Sequence, residues 1–315
     1  MELTQHLRIL EPHPGILAFY DGRVAGQRFA AADNWVDDGA LSLGIASYAV
    51  VSGDEALVYD THVSVPHAEA IIAALHGRGV RRMRVVLSHW HLDHVAGTSA
   101  FTHAEPGEVA FGAVEVIANR RTAAHLRQHQ AAIEDGSLHG PPAICPLILP
   151  DQTYAGQMRL RVGARHVTLI EANIHSDDAT VLWLPEEGIL IAGDTVEDTV
   201  TYVGEPQDFA IHLAELDRLA GLGARWILPC HGDPAVIAVG GYGAGLLAAT
   251  GRYIRWLQRL QAEPGLATTA LKVVIAADLA SGILHWFAPY ARVHDQNIRR
   301  CLALWHGGDA MTNPD

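Results

Sequence analysis

Cysteine is scarce in this chain, and so are the features that direct a protein across or into a membrane. The 315 residues contain three widely spaced cysteines, Cys145, Cys230 and Cys301, and this odd set provides no disulfide framework. The first residues lack a basic stretch followed by an apolar one, and no run approaches the roughly 18 apolar residues of a membrane span. We therefore expect buried free thiols, no membrane association and a cytoplasmic location.

Charged residues are also few, and positive charge is in the minority. Only 18% of the residues are charged, and 35 acidic against 22 basic residues leave a formal charge of −13. A negative surface disfavours nucleic acid and anionic lipid as partners, whereas a small-molecule substrate inside a pocket stays open. The 49% of hydrophobic residues predict a well-buried globular core.

Short apolar segments separated by Gly, Pro or Asp predict strands in both halves of the chain. The predicted strands are residues 7–10, 15–20, 45–51, 56–59, 83–87, 114–118, 158–162, 167–171, 180–184, 189–192 and 226–228. Apolar residues at helical spacing predict helices from Pro66 onward, over 122–133 and over 211–222. Two successive β-rich halves, each with helices, predict an α/β fold with four layers, an αββα sandwich.

The end of the chain has a different pattern. Leu246, Tyr253 and Leu257 are among the apolar residues that recur there at helical spacing. We predict that residues 1–240 form the sandwich and that 241–315 form a helical C-terminal extension packed on or completing the core. The apolar helical segment also makes a homodimer a candidate assembly.

Four polar side chains that bind metals lie within six residues, directly after the predicted strand 83–87. They are His89, His91, Asp93 and His94. Ends of strands are where α/β proteins build their sites. In extended backbone, residues two apart project to one side, so His89, His91 and Asp93 would converge while His94 turns another way. The density of these side chains predicts a metal site on a loop.

This His-x-His-x-Asp-His pattern after a strand resembles the hallmark of the metallo-β-lactamase superfamily. That family has three further ligands, and His175, Asp194 and His231 stand in matching order after later predicted strands. The resemblance implies that His89, His91 and His175 bind one metal ion, that Asp93, His94 and His231 bind a second, and that Asp194 bridges them. It also implies that Asp60 lies beside the site. The resemblance covers roughly residues 15–235.

The resemblance implies a dinuclear metal-dependent hydrolase with two Zn²⁺ per chain, or iron or manganese in their place, since these ions accept imidazole and carboxylate together. A hydroxide shared by the two ions would attack a carbonyl-type bond, with Asp93 and Asp194 as the catalytic carboxylates. A lactone, ester or thioester is the expected substrate. Zinc β-lactamases of this fold generally have Cys or Ser where this chain has Asp194, which disfavours a β-lactam.

Two other classes of function stay open. A mononuclear iron oxidoreductase, similar to the sulfur dioxygenases of this superfamily, would use fewer of the same ligands. A non-catalytic binding protein on this fold would be favoured if ligands had been lost, and all seven are present. Metal content distinguishes the first alternative from the hydrolase.

Two aromatic residues are candidates for contact with the substrate. Trp90 lies between two ligands, and Tyr202 lies eight residues after Asp194, in a placement similar to the tyrosine of lactone-cleaving relatives. For both, packing in the core is the ordinary alternative role. Specificity is expected to depend on the loops at 101–109, 133–150 and 195–208.

Overall fold

A computed structural model describes residues 3–102 and 113–307, and two β-sheets form the centre of this part of the chain. The first sheet has seven strands in chain order, antiparallel from β1 to β4 and parallel from β4 to β7. These strands are β1 (Arg8–His13), β2 (Ile16–Asp21), β3 (Ile45–Ser52), β4 (Glu55–Tyr59), β5 (Arg82–Val86), β6 (Glu115–Asn119) and β7 (Gln152–Tyr154).

The second sheet has five strands in the order β12-β11-β10-β9-β8, antiparallel except for the parallel pair β11 and β12. They are β8 (Gln157–Val162), β9 (Arg165–Glu171), β10 (Thr180–Leu184), β11 (Ile189–Gly193) and β12 (Trp226–Pro229). The predicted strands of both halves lie at or within a few residues of these positions. The short strand β7 was not predicted, because its three residues carry no apolar alternation.

Strand β2 shows how the layers are stacked. Ile16, Ala18 and Tyr20 face the core that lies between the sheets, while Leu17 and Phe19 face a second core under the helices. All six residues of the strand are buried, as expected for a strand covered on both faces. Side chains of β3 and β4 link the sheets directly, since Tyr48 donates to the carbonyl of Pro229 at 2.6 Å and Tyr59 to that of Thr180.

Helices cover the outer faces of both sheets. They are α1 (Val65–Gly77), α2 (Leu92–Val95), α3 (Thr98–Thr102), α4 (Arg120–Glu134), α5 (Phe209–Ala220), α6 (Pro234–Ala238), α7 (Gly245–Gln258), α8 (Leu271–Val274), α9 (Ala276–Ala280) and α10 (Tyr290–His306). Helices α1 and α4 pack on the first sheet, and α5, α7 and α10 contribute to the core that includes the second. The predicted αββα sandwich with C-terminal helices is therefore confirmed.

Two further features complete the description. A turn of π-helix at Val36–Leu41 follows β2 and forms a small apolar cluster with Ile45 and Val63. Cys230 and Cys301 are buried thiols as expected, whereas Cys145 is exposed, because it lies on the Pro-rich connection after α4. Among the described residues, no helix has the length and apolar character needed to cross a membrane.

Candidate metal centre

The predicted ligands lie where strands of the two sheets end at a common edge. His89 and His91 follow β5 of the first sheet. The second sheet supplies His175 after β9, Asp194 directly after β11 and His231 two residues after β12. The fold therefore brings together, at one place, side chains that are up to 142 residues apart in sequence.

The segment after β5 does not stay extended. His91 has φ −63° and ψ 147° and is the N-terminal cap of α2, so Asp93 and His94 lie on the helix. The expectation that Asp93 projects with His89 and His91 was therefore wrong: Asp93 and His94 project together. A helix has about 3.6 residues per turn, so its side chains do not alternate between two sides as those of a strand do. Asp93 and His94, which lie on α2, therefore do not follow the alternation of His89 and His91.

One carboxylate oxygen lies at the centre of the imidazoles. Oδ2 of Asp194 is 3.1 Å from Nε2 of His94, 3.3 Å from that of His231 and 3.8 Å from those of His89 and His175. Oδ1 of Asp194 and Nε2 of His89 are buried without a hydrogen-bond partner among the described residues. Buried polar atoms normally have a partner, so these atoms are suited to an additional ligand.

The other ligand atoms fall into two sets. Nε2 of His175 lies 3.0 Å from Nδ1 of His91, and these two group with His89. Nε2 of His231 lies 3.4 Å from Oδ2 of Asp93, and these two group with His94. Nitrogen ligands about 2.0–2.1 Å from a tetrahedral Zn²⁺ are about 3.3 Å apart. The spacing and chemistry of both sets therefore fit a divalent ion each.

Hydrogen bonds on the side away from the centre orient most of the imidazole rings. Four of the imidazoles use Nδ1 for an outer hydrogen bond, which leaves Nε2 directed toward the centre. The outer partners are Oγ of Ser88 for His89 at 2.9 Å, Oδ2 of Asp60 for His94 at 2.8 Å, the carbonyl of Tyr202 for His175 at 3.2 Å and the carbonyl of Gly44 for His231 at 2.7 Å.

Asp60 is buried directly behind His94. Its carboxylate accepts hydrogen bonds from the backbone N–H and the hydroxyl of Ser88 at 2.7 and 2.8 Å, in addition to the contact with His94. The thiol of Cys230 is 3.6 Å from the same carboxylate. Asp60 has φ +66°, a left-handed conformation that Asp and Asn adopt more readily than most residues.

The protonation of the site divides its imidazoles into two groups. Burial and the neighbouring imidazoles hold the pKa values of His89 and His91 well below the usual value, so both rings are neutral. Burial also disfavours charge on His94 and His231, but Asp194 outweighs it and raises their pKa values well above the usual one. His231 and His94 in turn outweigh the burial of Asp194 and hold its pKa well below the usual value, so its carboxylate is ionised.

The family model of the metallo-beta-lactamase superfamily matches residues 42–231, which contain the whole cluster. The chain belongs to the metallo-beta-lactamase superfamily. The matched region lies inside the range that the sequence motif indicated.

Several characterised members of the superfamily are similar in sequence. A hydroxyacylglutathione hydrolase from Rhodobacter capsulatus is 24% identical over 79% of this chain and 82% of its own length. A linear primary-alkylsulfatase from Pseudomonas is 23% identical over 56% of this chain, and an atrochrysone carboxyl ACP thioesterase from Emericella nidulans is 25% identical over 62%. The matches span only 39% and 55% of the length of the last two proteins.

Solved structures of the superfamily share the fold. The metallo-beta-lactamase from Pontibacter korlensis superposes with a TM-score of 0.58 at 17% identity, covering 79% of this chain and 99% of its own. The DIM-1 metallo-beta-lactamase superposes with a TM-score of 0.55 at 17% identity, covering 80% of this chain and 98% of its own. At this identity the likeness establishes the architecture alone.

A cavity of about 190 Å³ opens beside the candidate metal centre. The predicted ligands that line it are His91, Asp93, His175, Asp194 and His231. The rest of its wall comes from the segment 35–43, Leu92, the loops at 133–150 and 195–208, and α10. The specificity loops predicted at 133–150 and 195–208 thus reach the cavity, through His139, Glu197 and Tyr202. Residues 103–109 of the third predicted loop lie outside the described residues.

The two candidate aromatic residues have different positions. Tyr202 lines the cavity, and its hydroxyl is buried without a hydrogen-bond partner among the described residues. Trp90 is not among the residues lining the cavity and packs instead against the imidazoles of His125, His129 and His139. Trp90 therefore packs against other side chains, whereas Tyr202 lies at the cavity, where a ligand would bind.

Sequence reasoning missed a group of residues that fixes the loop after Asp194. Glu197 is buried, receives a hydrogen bond from Tyr290 at 2.9 Å, and has a pKa that burial raises to about 7. Asn297 donates to the carbonyl of Thr201 at 3.0 Å and accepts from the N–H of Val203 at 2.9 Å. The available signal was Asn297 itself, a polar residue on the buried face of α10.

Proposed function

We propose that this chain is a metal-dependent hydrolase that holds two divalent ions. His89, His91 and His175 would bind one ion and Asp93, His94 and His231 the other, with Asp194 between them. The observation that carries the proposal is the position of Oδ2 of Asp194, which lies 3.1–3.8 Å from four imidazole nitrogens drawn from both sheets.

Zinc is the ion that this donor set favours first, because five imidazoles and two carboxylates combine nitrogen with hard oxygen ligands. When bound, two such ions supply Lewis acidity and lower the pKa of a water from 15.7 toward about 7, which provides a nucleophile at neutral pH.

The side chains of the cavity would orient the reactants. Asp93 lines the cavity, and its pKa is held below the usual value because His94 and His231 outweigh its burial. It is therefore an anion that can accept a hydrogen bond from the attacking water. Burial raises the pKa of Tyr202, so its hydroxyl keeps its proton and can donate to an oxygen of the substrate.

A carbonyl-type bond in a lactone, ester or thioester is the substrate class that we propose. Two of the similar proteins are named for reactions at such bonds, a hydroxyacylglutathione hydrolase and an ACP thioesterase. The full set of seven ligands favours two ions over the single iron of an oxidoreductase, which would leave Asp93 and His231 without a metal to bind.

The test is metal content and hydrolysis measured on one preparation purified without chelators. We expect two zinc ions per chain and cleavage of one substrate class in a panel of esters, thioesters, lactones and β-lactams. Chelation should abolish cleavage and added zinc should restore it. The variant Asp194→Asn should lose both metal and activity. His166→Gln is the control, since His166 is exposed on β9 and pairs only with Glu186 at the surface.

A single bound iron with no cleavage of any of these substrates would overturn the proposal in favour of an oxidoreductase. Cleavage of the β-lactams alone would keep the hydrolase and reject the substrate class.

A further inference from the structure

The wall of the cavity carries charged or titratable side chains besides the predicted metal ligands, among them Asp38, Glu197 and Arg292. Helix α10 contributes Arg292, Val293 and Gln296 to the wall, next to the segment 35–43. Of the described residues that line the cavity, Arg292 is the one whose side chain is always positively charged. In a chain with a net charge of −13, a cation at the mouth of the cavity needs an explanation.

Arg292 is held in place without being neutralised. Its guanidinium donates to the main-chain carbonyl of Asp38, which ties α10 to the π-helical turn. The carboxylate of Asp38 is instead 3.9 Å from the guanidinium of Arg28 and accepts from the N–H of Asn34 at 3.3 Å. No described carboxylate lies within ion-pair distance of Arg292. A guanidinium has five N–H donors, so several remain for a ligand.

The wall of the cavity that Arg292 shares with the predicted ligands also includes apolar side chains. They are Trp35, Leu43, Leu92 and Val293. The indole of Trp35 is fixed because its N–H donates to the carbonyl of Pro142 at 2.9 Å. A ligand that fits this wall therefore has an apolar middle and, at one end, a group that a guanidinium binds. A carboxylate matches the planar fork of a guanidinium, because its two oxygens can accept two parallel hydrogen bonds.

We propose that Arg292 binds a carboxylate at the far end of the substrate, whose ester or thioester carbonyl lies at the metal centre and whose carbon chain packs on Trp35 and Val293. Gln296, one turn further along α10, adds a neutral donor. This inference rests on the proposed function. It narrows the substrate to half-esters or half-thioesters of dicarboxylic acids, in preference to neutral acyl esters of the same length.

The test compares two substrates that differ at one end. The 4-nitrophenyl half-ester of adipic acid and 4-nitrophenyl hexanoate have the same chain, ending in a carboxylate or a methyl group. For the zinc-loaded enzyme we expect a lower KM for the half-ester. In Arg292→Gln, KM for the half-ester should rise about ten- to hundredfold, as expected for loss of a charged hydrogen bond, with little change for hexanoate.

The substitutions are chosen to separate recognition from structure. Glutamine keeps a donor for the carbonyl of Asp38 but loses the charge, and Arg292→Lys, which keeps the charge, should retain part of the preference. Arg299→Gln is the matched control, because Arg299 is exposed on the same helix and does not line the cavity. Thermal unfolding of each variant verifies that the fold is intact. An equal preference in wild type and Arg292→Gln would overturn the inference.

Binding measured without turnover distinguishes failure of this inference from failure of the proposed function. Adipate and hexanoate are titrated calorimetrically into the wild type and Arg292→Gln. If neither ester is cleaved but adipate binds more tightly than hexanoate only when Arg292 is present, the ester hydrolase is rejected and the carboxylate site stands. If adipate binds equally well to both proteins, the carboxylate site is rejected.

Discussion

Asp60 illustrates how much of the site depends on a residue that binds no metal itself. It accepts hydrogen bonds from the N–H and hydroxyl of Ser88 and lies 2.8 Å from Nδ1 of His94. The carboxylate fixes the ring so that Nε2 points toward Asp194. Groups that orient a ligand in this way commonly contribute a factor of about 10–100 to metal affinity.

We therefore predict that Asp60→Asn weakens zinc binding by about 10- to 100-fold while the protein still folds. Asparagine has the same shape and tolerates the left-handed φ of +66°. Competition with a chromogenic chelator measures the affinity, and excess zinc should restore activity. Asp54→Asn is the control, because Asp54 pairs with Arg82 at the surface. Unchanged affinity in Asp60→Asn would mean that the negative charge of Asp60 is not needed to orient His94.

At the scale of single residues, His89, His91, Asp93 and His94 stood out in the sequence because they form a dense local cluster directly after a predicted strand. The other predicted ligands and Asp60 were assigned by resemblance to the superfamily and not by local spacing. Glu197 and Asn297 were not predicted, since their roles arise from a contact between a loop and a helix about 100 residues later in the chain. Arg292 was missed for the same reason. No periodicity within one segment encodes which cavity a helix will line.

Helix α10 is the element whose importance the sequence understated. Its buried face holds the loop that follows Asp194: Tyr290 bonds Glu197, and Asn297 bonds Thr201 and Val203. Between these anchors lies the carbonyl of Tyr202, which accepts from Nδ1 of His175. The C-terminal helix thus supports the predicted ligand His175 through the loop that carries Tyr202.

This arrangement predicts that Asn297→Ala has two effects. Loss of its hydrogen bonds leaves buried polar groups of Thr201 and Val203 unpaired, which should lower the free energy of unfolding by about 1–3 kcal/mol. The loop should also loosen behind His175 and weaken zinc binding. Thermal unfolding and zinc titration measure the two separately. Arg299→Ala, on the exposed face of the same helix, should change neither. A loss of stability with unchanged zinc affinity would show that Asn297 stabilises the fold but does not support zinc binding through His175.

Elements were predictable to different degrees. Strands such as β3 and β11 consist mostly of apolar residues, and the sequence predicted them at nearly their observed bounds. The segment 89–94 was expected to be a loop with extended backbone from His89 to Asp93, but Leu92 and Val95 pack in the core and the chain forms α2 there. A tertiary contact decided this local conformation, and the sequence of the segment alone does not contain that contact.

For the molecule as a whole, the proposed ions would connect the two sheets. One set joins His89 and His91 of the first sheet with His175 of the second, and the other joins Asp93 and His94 with His231. Each ion should therefore bind the folded chain far more tightly than the unfolded one. Ligands with this property stabilise the native state in proportion to the logarithm of their free concentration.

The number of ions then follows from stability alone. Above its dissociation constant, each bound ion adds about 1.4 kcal/mol to the free energy of unfolding for every tenfold increase in free zinc. With two ions, the wild type should therefore show a slope of about 2.8 kcal/mol per tenfold increase. His91→Gln removes a ligand from one set and should halve this slope, as should His231→Gln for the other set, whereas His166→Gln should leave it unchanged. Urea unfolding in zinc buffers provides the measurement. A wild-type slope of about 1.4 would show that a single ion binds, and the dinuclear proposal would then fail whatever the activity of the preparation.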